Sequence, residues 1–113
     1  MEKLILMPNL IGSIFIIAGL VMLIFPPKKI NTLYGYRTPR SMKNIDNWNF
    51  AQQFSAKLML IGGFVILFIG IVETIINLDE IFINISGFIT LILFTIVLII
   101  ITENKIKKFE KSL

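Results

Sequence analysis

The side chains able to bind or react crowd into one stretch: Asn31, Tyr34, Gly35, Tyr36, Arg37, Thr38, Arg40, Ser41, Asn44 and Trp48. Both arginines, both tyrosines and the single tryptophan of the 113 residues fall within it. Two guanidinium groups in one turn make a good anion site, because each can offer paired N–H donors to a phosphate or carboxylate. Aromatic rings beside them add stacking surface. Two readings stay open. In one, Arg37 and Arg40 grip an anionic partner, with Tyr34, Tyr36 and Trp48 as an apolar wall. In the other, the arginines lock the loop onto its own helices, or only enforce topology and touch phospholipid generically. In both, Asn31, Thr38, Ser41 and Asn44 serve the loop backbone and Gly35 is a turn residue.

Catalysis has little to work with. The chain has no histidine and no cysteine, so the commonest general base, the commonest metal ligand and any thiolate chemistry are missing. Asp46 is the one acid in the loop, where it suits the first turn of a helix or pairing with an arginine. Glu73, Asp79 and Glu80 lie toward the other side of a membrane, and no Gly-rich phosphate loop is present. The expectation is a protein that is not an enzyme, with no cofactor, no metal site and no direct contact with nucleic acid. Glu73 inside an apolar run is either a proton or ion carrier or an acid that reaches back to the interface.

The elements that must position the loop are apolar. Hydrophobic residues make up 56% of the chain and charged ones 16%, in runs too long for soluble core helices. Leu4–Phe25 is about 33 Å long as a helix, enough to cross a hydrocarbon core of roughly 30 Å. Pro26 and Pro27 stop it, and with no small-residue cleavage site it reads as a retained span, not a secretory signal. The loop follows. From Ser41 or Asn44, either of which can cap a helix, a short amphipathic interfacial helix is expected, with Ile45, Trp48, Gln52 and Ser55 at helical spacing and Trp48 at the headgroups. Loop and interfacial helix together occupy residues 28–54. Further spans are expected at about 55–77 and 81–101, joined by a tight Asn77–Glu80 connection, and a Lys/Glu tail extends the last helix into water. Gly12, Gly19, Gly62, Gly63 and Gly70 offer close packing faces, within the chain or in a homo-oligomer. Lysine and arginine concentrate around the loop and the tail, with Lys3 alone on the other side. This places the N-terminus outside and the loop and C-terminus in the cytoplasm. The fold class is an all-α integral membrane protein: three transmembrane helices, a cytoplasmic motif loop and one short interfacial helix, all in one membrane domain over 1–113.

The run Ile30–Asn44, with Trp48 and Ala51, resembles the signature of the SdpI family, small bacterial membrane proteins named for immunity to the sporulation-delaying-protein toxin. The residues that fit are Pro27, Asn31, Gly35 to Thr38, Arg40, Ser41, Asn44, Trp48 and Ala51. Gln52 stands where asparagine is more usual. The order of one helix, motif loop and two further helices also fits. The founding member carries additional membrane helices before this part.

The resemblance implies a protein of the bacterial cytoplasmic membrane that protects its cell from a membrane-active peptide toxin by binding. It also implies a second possibility, signalling by capture of a transcriptional repressor at the cytoplasmic face. The expected partners are therefore membrane lipids, a peptide toxin and a cytoplasmic repressor. A small transporter or lipid-interacting protein is the third reading. It would need a polar cavity at mid-depth, and the mid-span residues are almost wholly Ile, Leu, Phe and Gly.

Overall fold

In the computed structural model, which describes residues 7–113, three helices follow one another: α1 (Met7–Ile24), α2 (Ile45–Ile75) and α3 (Glu80–Ser112). All three are long and apolar enough to cross a membrane, and the protein is a multi-pass membrane protein. The expected start of the first span at Leu4, and the flanking Glu2 and Lys3, lie outside the described residues.

Each helix boundary has a local cause. α1 stops where Pro26 and Pro27 remove consecutive N–H donors. α2 begins at Asn44, whose side chain accepts the Asn47 N–H at 2.8 Å, with Asp46 adding negative charge to the first turn. Its far end closes with Asn77 at φ 62°. The Asn77 N–H reaches the Thr74 carbonyl at 3.1 Å and the Leu78 N–H reaches that of Glu73 at 3.2 Å. This is the Schellman arrangement, and asparagine tolerates its left-handed position. Asp79 then caps α3, accepting the Ile81 N–H.

The short interfacial helix does not form as a separate element. Residues 45–54 are the opening turns of α2, which runs unbroken for 31 residues. No proline or glycine interrupts the chain there, so helical hydrogen bonding simply continues into the span. Trp48, expected at the headgroups, is fully buried. The Lys/Glu tail does extend the last helix, and α3 reaches 33 residues. At 1.5 Å per residue, α2 and α3 are each more than 45 Å long, well beyond a hydrocarbon core of about 30 Å. The bundle accordingly extends 50 Å along its long axis. The surplus lies at the loop end, where α2 begins and α3 finishes.

Glycines hold α1 and α2 together. A Cβ on Gly12 would stand 2.6 Å from the Leu67 nitrogen, one on Gly19 2.8 Å from the Ala56 carbonyl oxygen, and one on Gly63 2.8 Å from the Gly12 carbonyl oxygen. The backbones therefore meet directly, as small residues permit in lipid. On α3, Phe94 fills the space over Gly62 and meets Phe15 edge-on at 4.9 Å. The remaining faces expose large apolar side chains such as Ile14, Ile17, Phe68, Phe88 and Ile92, a surface suited only to hydrocarbon. Glu73, near the end of α2, is 8% exposed, and its Oε1 accepts the Ser86 hydroxyl at 3.0 Å across the α2–α3 contact.

Candidate functional site

The motif loop folds over the loop end of the bundle, with Gln52 of α2 as its anchor. The Gln52 Oε1 accepts the Tyr36 N–H at 2.6 Å, and its Nε2 donates to the Tyr36 carbonyl at 2.7 Å. One buried amide thus satisfies both backbone groups of a loop residue, which no adjacent strand or helix could do here. The fit requires Gly35, whose φ is +108°. A Cβ there would lie 2.5 Å from Gln52 Oε1 and 2.8 Å from the Pro27 ring. One turn before Gln52, the Trp48 indole N–H donates to the Pro27 carbonyl at 2.6 Å. The ring is a buried peg that fixes the end of α1 to the start of α2.

The other polar residues of the motif bond to the protein itself. The Asn31 Oδ1 accepts the N–H groups of Leu33 and Tyr34 at 2.9 and 2.7 Å, while its Nδ2 donates to the Lys29 carbonyl. The Tyr34 hydroxyl donates to the Phe25 carbonyl at 2.7 Å, satisfying an orphan group at the end of α1. Thr38 and Ser41 exchange bonds: the Ser41 hydroxyl accepts the Thr38 N–H at 2.8 Å, and the Thr38 hydroxyl accepts the Ser41 N–H at 3.2 Å. Asn44 is spent on its helix cap.

The two arginines part company. Arg40 faces α3, with Nε 3.4 Å from Glu103 and Nη1 3.8 Å from Glu110. Lys43 joins Glu110 at 4.0 Å. Asn47 ties the same acid to the loop, donating to Glu110 Oε1 at 2.7 Å and to the Arg40 carbonyl at 3.1 Å. The Tyr36 hydroxyl donates to Glu103 Oε1 at 3.1 Å. Partial burial, then the charge and hydrogen bond of Glu103, push the Tyr36 phenol well above its ordinary value. Arg37 is exposed. Its guanidinium donates to the Thr32 carbonyl and enters no ion pair among the described residues.

Among the described residues no three His, Cys, Asp or Glu side chains gather as a metal site. Beneath Tyr34–Thr38 lies a cleft of about 570 Å³ between the three helices.

This geometry brings all ten motif residues into contacts with the loop backbone, the helices or their acids, and leaves Arg37, exposed, without an acid partner among the described residues. Four partners were not anticipated: Gln52, Asn47, Glu103 and Glu110. Gln52 lies four residues after Trp48, on the same helical face. Glu103 and Glu110 are seven apart and share a face of α3, a spacing lost to view in a tail that reads as a solvated Lys/Glu pattern.

The pattern of the SdpI/YfhL protein family matches residues 28–102, which take in the motif loop, all of α2 and α3 as far as Thr102. The chain belongs to that family. Over 60 residues it is 50% identical to the uncharacterized protein YfhL of Bacillus subtilis (strain 168), a match covering 53% of this chain and 54% of that one. The match thus spans about half the length of the relative. No solved structure matches. In this SdpI/YfhL member the matched region ends one residue before Glu103, so both acids that hold Arg40, Glu103 and Glu110, lie outside it.

Proposed function

We propose that the protein is an SdpI-type immunity protein of the bacterial cytoplasmic membrane, protecting its cell from a membrane-active peptide toxin by binding and not by catalysis. Family membership supports this reading. The observation that carries it is the form of the motif: a loop held on the bundle by Gln52, Trp48 and Glu103, with Arg37 left outside that network. A preorganised surface of this kind binds without an ordering cost. The loop end bears exposed Lys28, Lys29, Lys43, Lys105, Lys107 and Lys108, while the opposite connection exposes Asp79 and Glu80. That asymmetry supports a cytoplasmic loop and C-terminus. Expression in a strain sensitive to a peptide toxin encoded nearby is expected to restore growth, and Arg37→Ala to weaken the protection. Undiminished killing with the protein present in the membrane would refute the reading.

The same lysine-rich face favours a second reading, capture of a transcriptional repressor at the membrane. A small repressor encoded by a neighbouring gene should then co-purify with the wild type and not with Arg37→Ala. Equal recovery would remove the motif from that role.

A further inference from the structure

The cleft beneath the motif loop has chemistry of its own. Ala18 and Val21 of α1, Met59 of α2, and Thr95, Leu98 and Ile99 of α3 form its walls, and residues 34–38 roof it. Its volume of about 570 Å³ lies within the range of small-molecule sites, about 300–1,000 Å³. The walls are hydrocarbon apart from two hydroxyls, and both are engaged: Thr95 donates to the Leu91 carbonyl at 2.7 Å and Ser55 to that of Gln52 at 3.3 Å. A peptide segment lying there would leave its own N–H and C=O groups without partners, which a lipid-like environment penalises heavily. A saturated chain has no such groups to satisfy. Val21, Thr95 and Ile99 are exposed on the membrane-facing surface, so a chain can enter sideways from the bilayer.

The roof supplies the other half of the recognition. Arg40 is taken by Glu103 and Glu110, whereas Arg37, which lines the cleft, has no carboxylate within ion-pair reach among the described residues. Its bond to the Thr32 carbonyl leaves most of its five N–H donors available. An apolar slot that ends at an unpaired guanidinium complements a molecule with a hydrocarbon chain below and an anionic phosphate above. We propose that this cleft is a phospholipid site: one acyl chain of an anionic membrane lipid occupies the slot, and its phosphate sits on Arg37. Arg37 is also the residue on which the proposed protection rests, so the site is tested by lipid retention alone, with no toxin present.

Native mass spectrometry in a mild non-ionic detergent tests this, with phosphatidylglycerol and phosphatidylcholine as probes. Wild type is expected to retain one phosphatidylglycerol per chain in preference to phosphatidylcholine. Arg37→Gln should weaken phosphatidylglycerol retention roughly tenfold, as expected for loss of a charged hydrogen-bonding partner, while Arg37→Lys keeps the preference. Thr95→Phe fills the slot from an exposed position on α3 and should abolish retention of both lipids, with helix content by circular dichroism unchanged. Excess inorganic phosphate should leave the lipid in place. Equal retention of the two lipids by wild type, retention unaffected by Thr95→Phe, or displacement by inorganic phosphate alone would each overturn the proposal.

Discussion

Tyr36 concentrates much of the loop's physics in one residue. Its backbone is held by both ends of the Gln52 amide, and its hydroxyl by Glu103. A phenol half-removed from water beside a carboxylate resists ionisation, because the phenolate would be poorly solvated and repelled. The linkage has a definite sign. The folded value lies above the ordinary 10.0, so the contribution of neutral Tyr36 is fully present below that pH. It is lost as the pH rises through the ordinary value toward the folded one. We expect the protein in detergent to lose thermal stability above about pH 10, accompanied by a late phenolate absorbance step. Tyr36→Phe should remove that late step and flatten the alkaline decline. An unchanged titration in the variant would show that the hydroxyl does not face Glu103. Gly35 is the silent partner here, since only a residue without Cβ leaves room for Gln52 at a φ of +108°.

Among the elements, α1 and α2 form the tightest pair, because their contact is backbone on backbone. Gly63 is packed against the Gly12 carbonyl and the Ile16 nitrogen, each 2.8 Å from where a Cβ would be. Neither neighbour can yield as a flexible side chain would. Gly63→Val should therefore force the helices apart and cost about 1–3 kcal/mol or more, seen as a lower melting temperature in detergent. Phe64→Val alters the next residue, which is 58% exposed, and should leave the midpoint nearly unchanged. Equal shifts for both would argue against close α1–α2 packing. The loop end of α2 and α3 is joined differently, by the stacked rings of Phe50 and Phe109 at 4.5 Å and by the Arg40–Glu103–Glu110 cluster. Those ion pairs are partly exposed and contribute modestly. Their value lies in fixing where the loop rests.

For the whole molecule, the unequal lengths of the helices matter most. α2 and α3 outrun the bilayer at one end only, and the motif loop is built on that surplus. Which side of the membrane it faces is testable because the chain has no cysteine, so a single introduced thiol reports cleanly. In intact cells a membrane-impermeant maleimide is expected to label Ile76→Cys and to label Ser112→Cys only after lysis. The reverse pattern would invert the proposed orientation. The same arrangement makes the loop a lid over the lipid-facing cleft, so occupancy of the cleft and rigidity of the motif should rise together.

Composition and spacing alone were enough for the coarse architecture. Stretches of about twenty mostly apolar residues have no comfortable place outside lipid, prolines and asparagine caps mark helix ends by local rules, and the Gly35–Arg40 motif is distinctive enough to carry the family. What lay beyond them depends on contacts distant in sequence. Trp48 reads as an interfacial anchor until Pro27, 21 residues earlier, is seen to accept its indole N–H. Arg37 and Arg40 read as equivalent, and differ because α3 returns Glu103 and Glu110 to one of them. The short interfacial helix was expected from amphipathic spacing, but periodicity cannot tell a separate helix from the first turns of a longer one. Local patterns set which segments become helices. Tertiary packing decided which polar groups are spent inside the protein and which remain to meet something else.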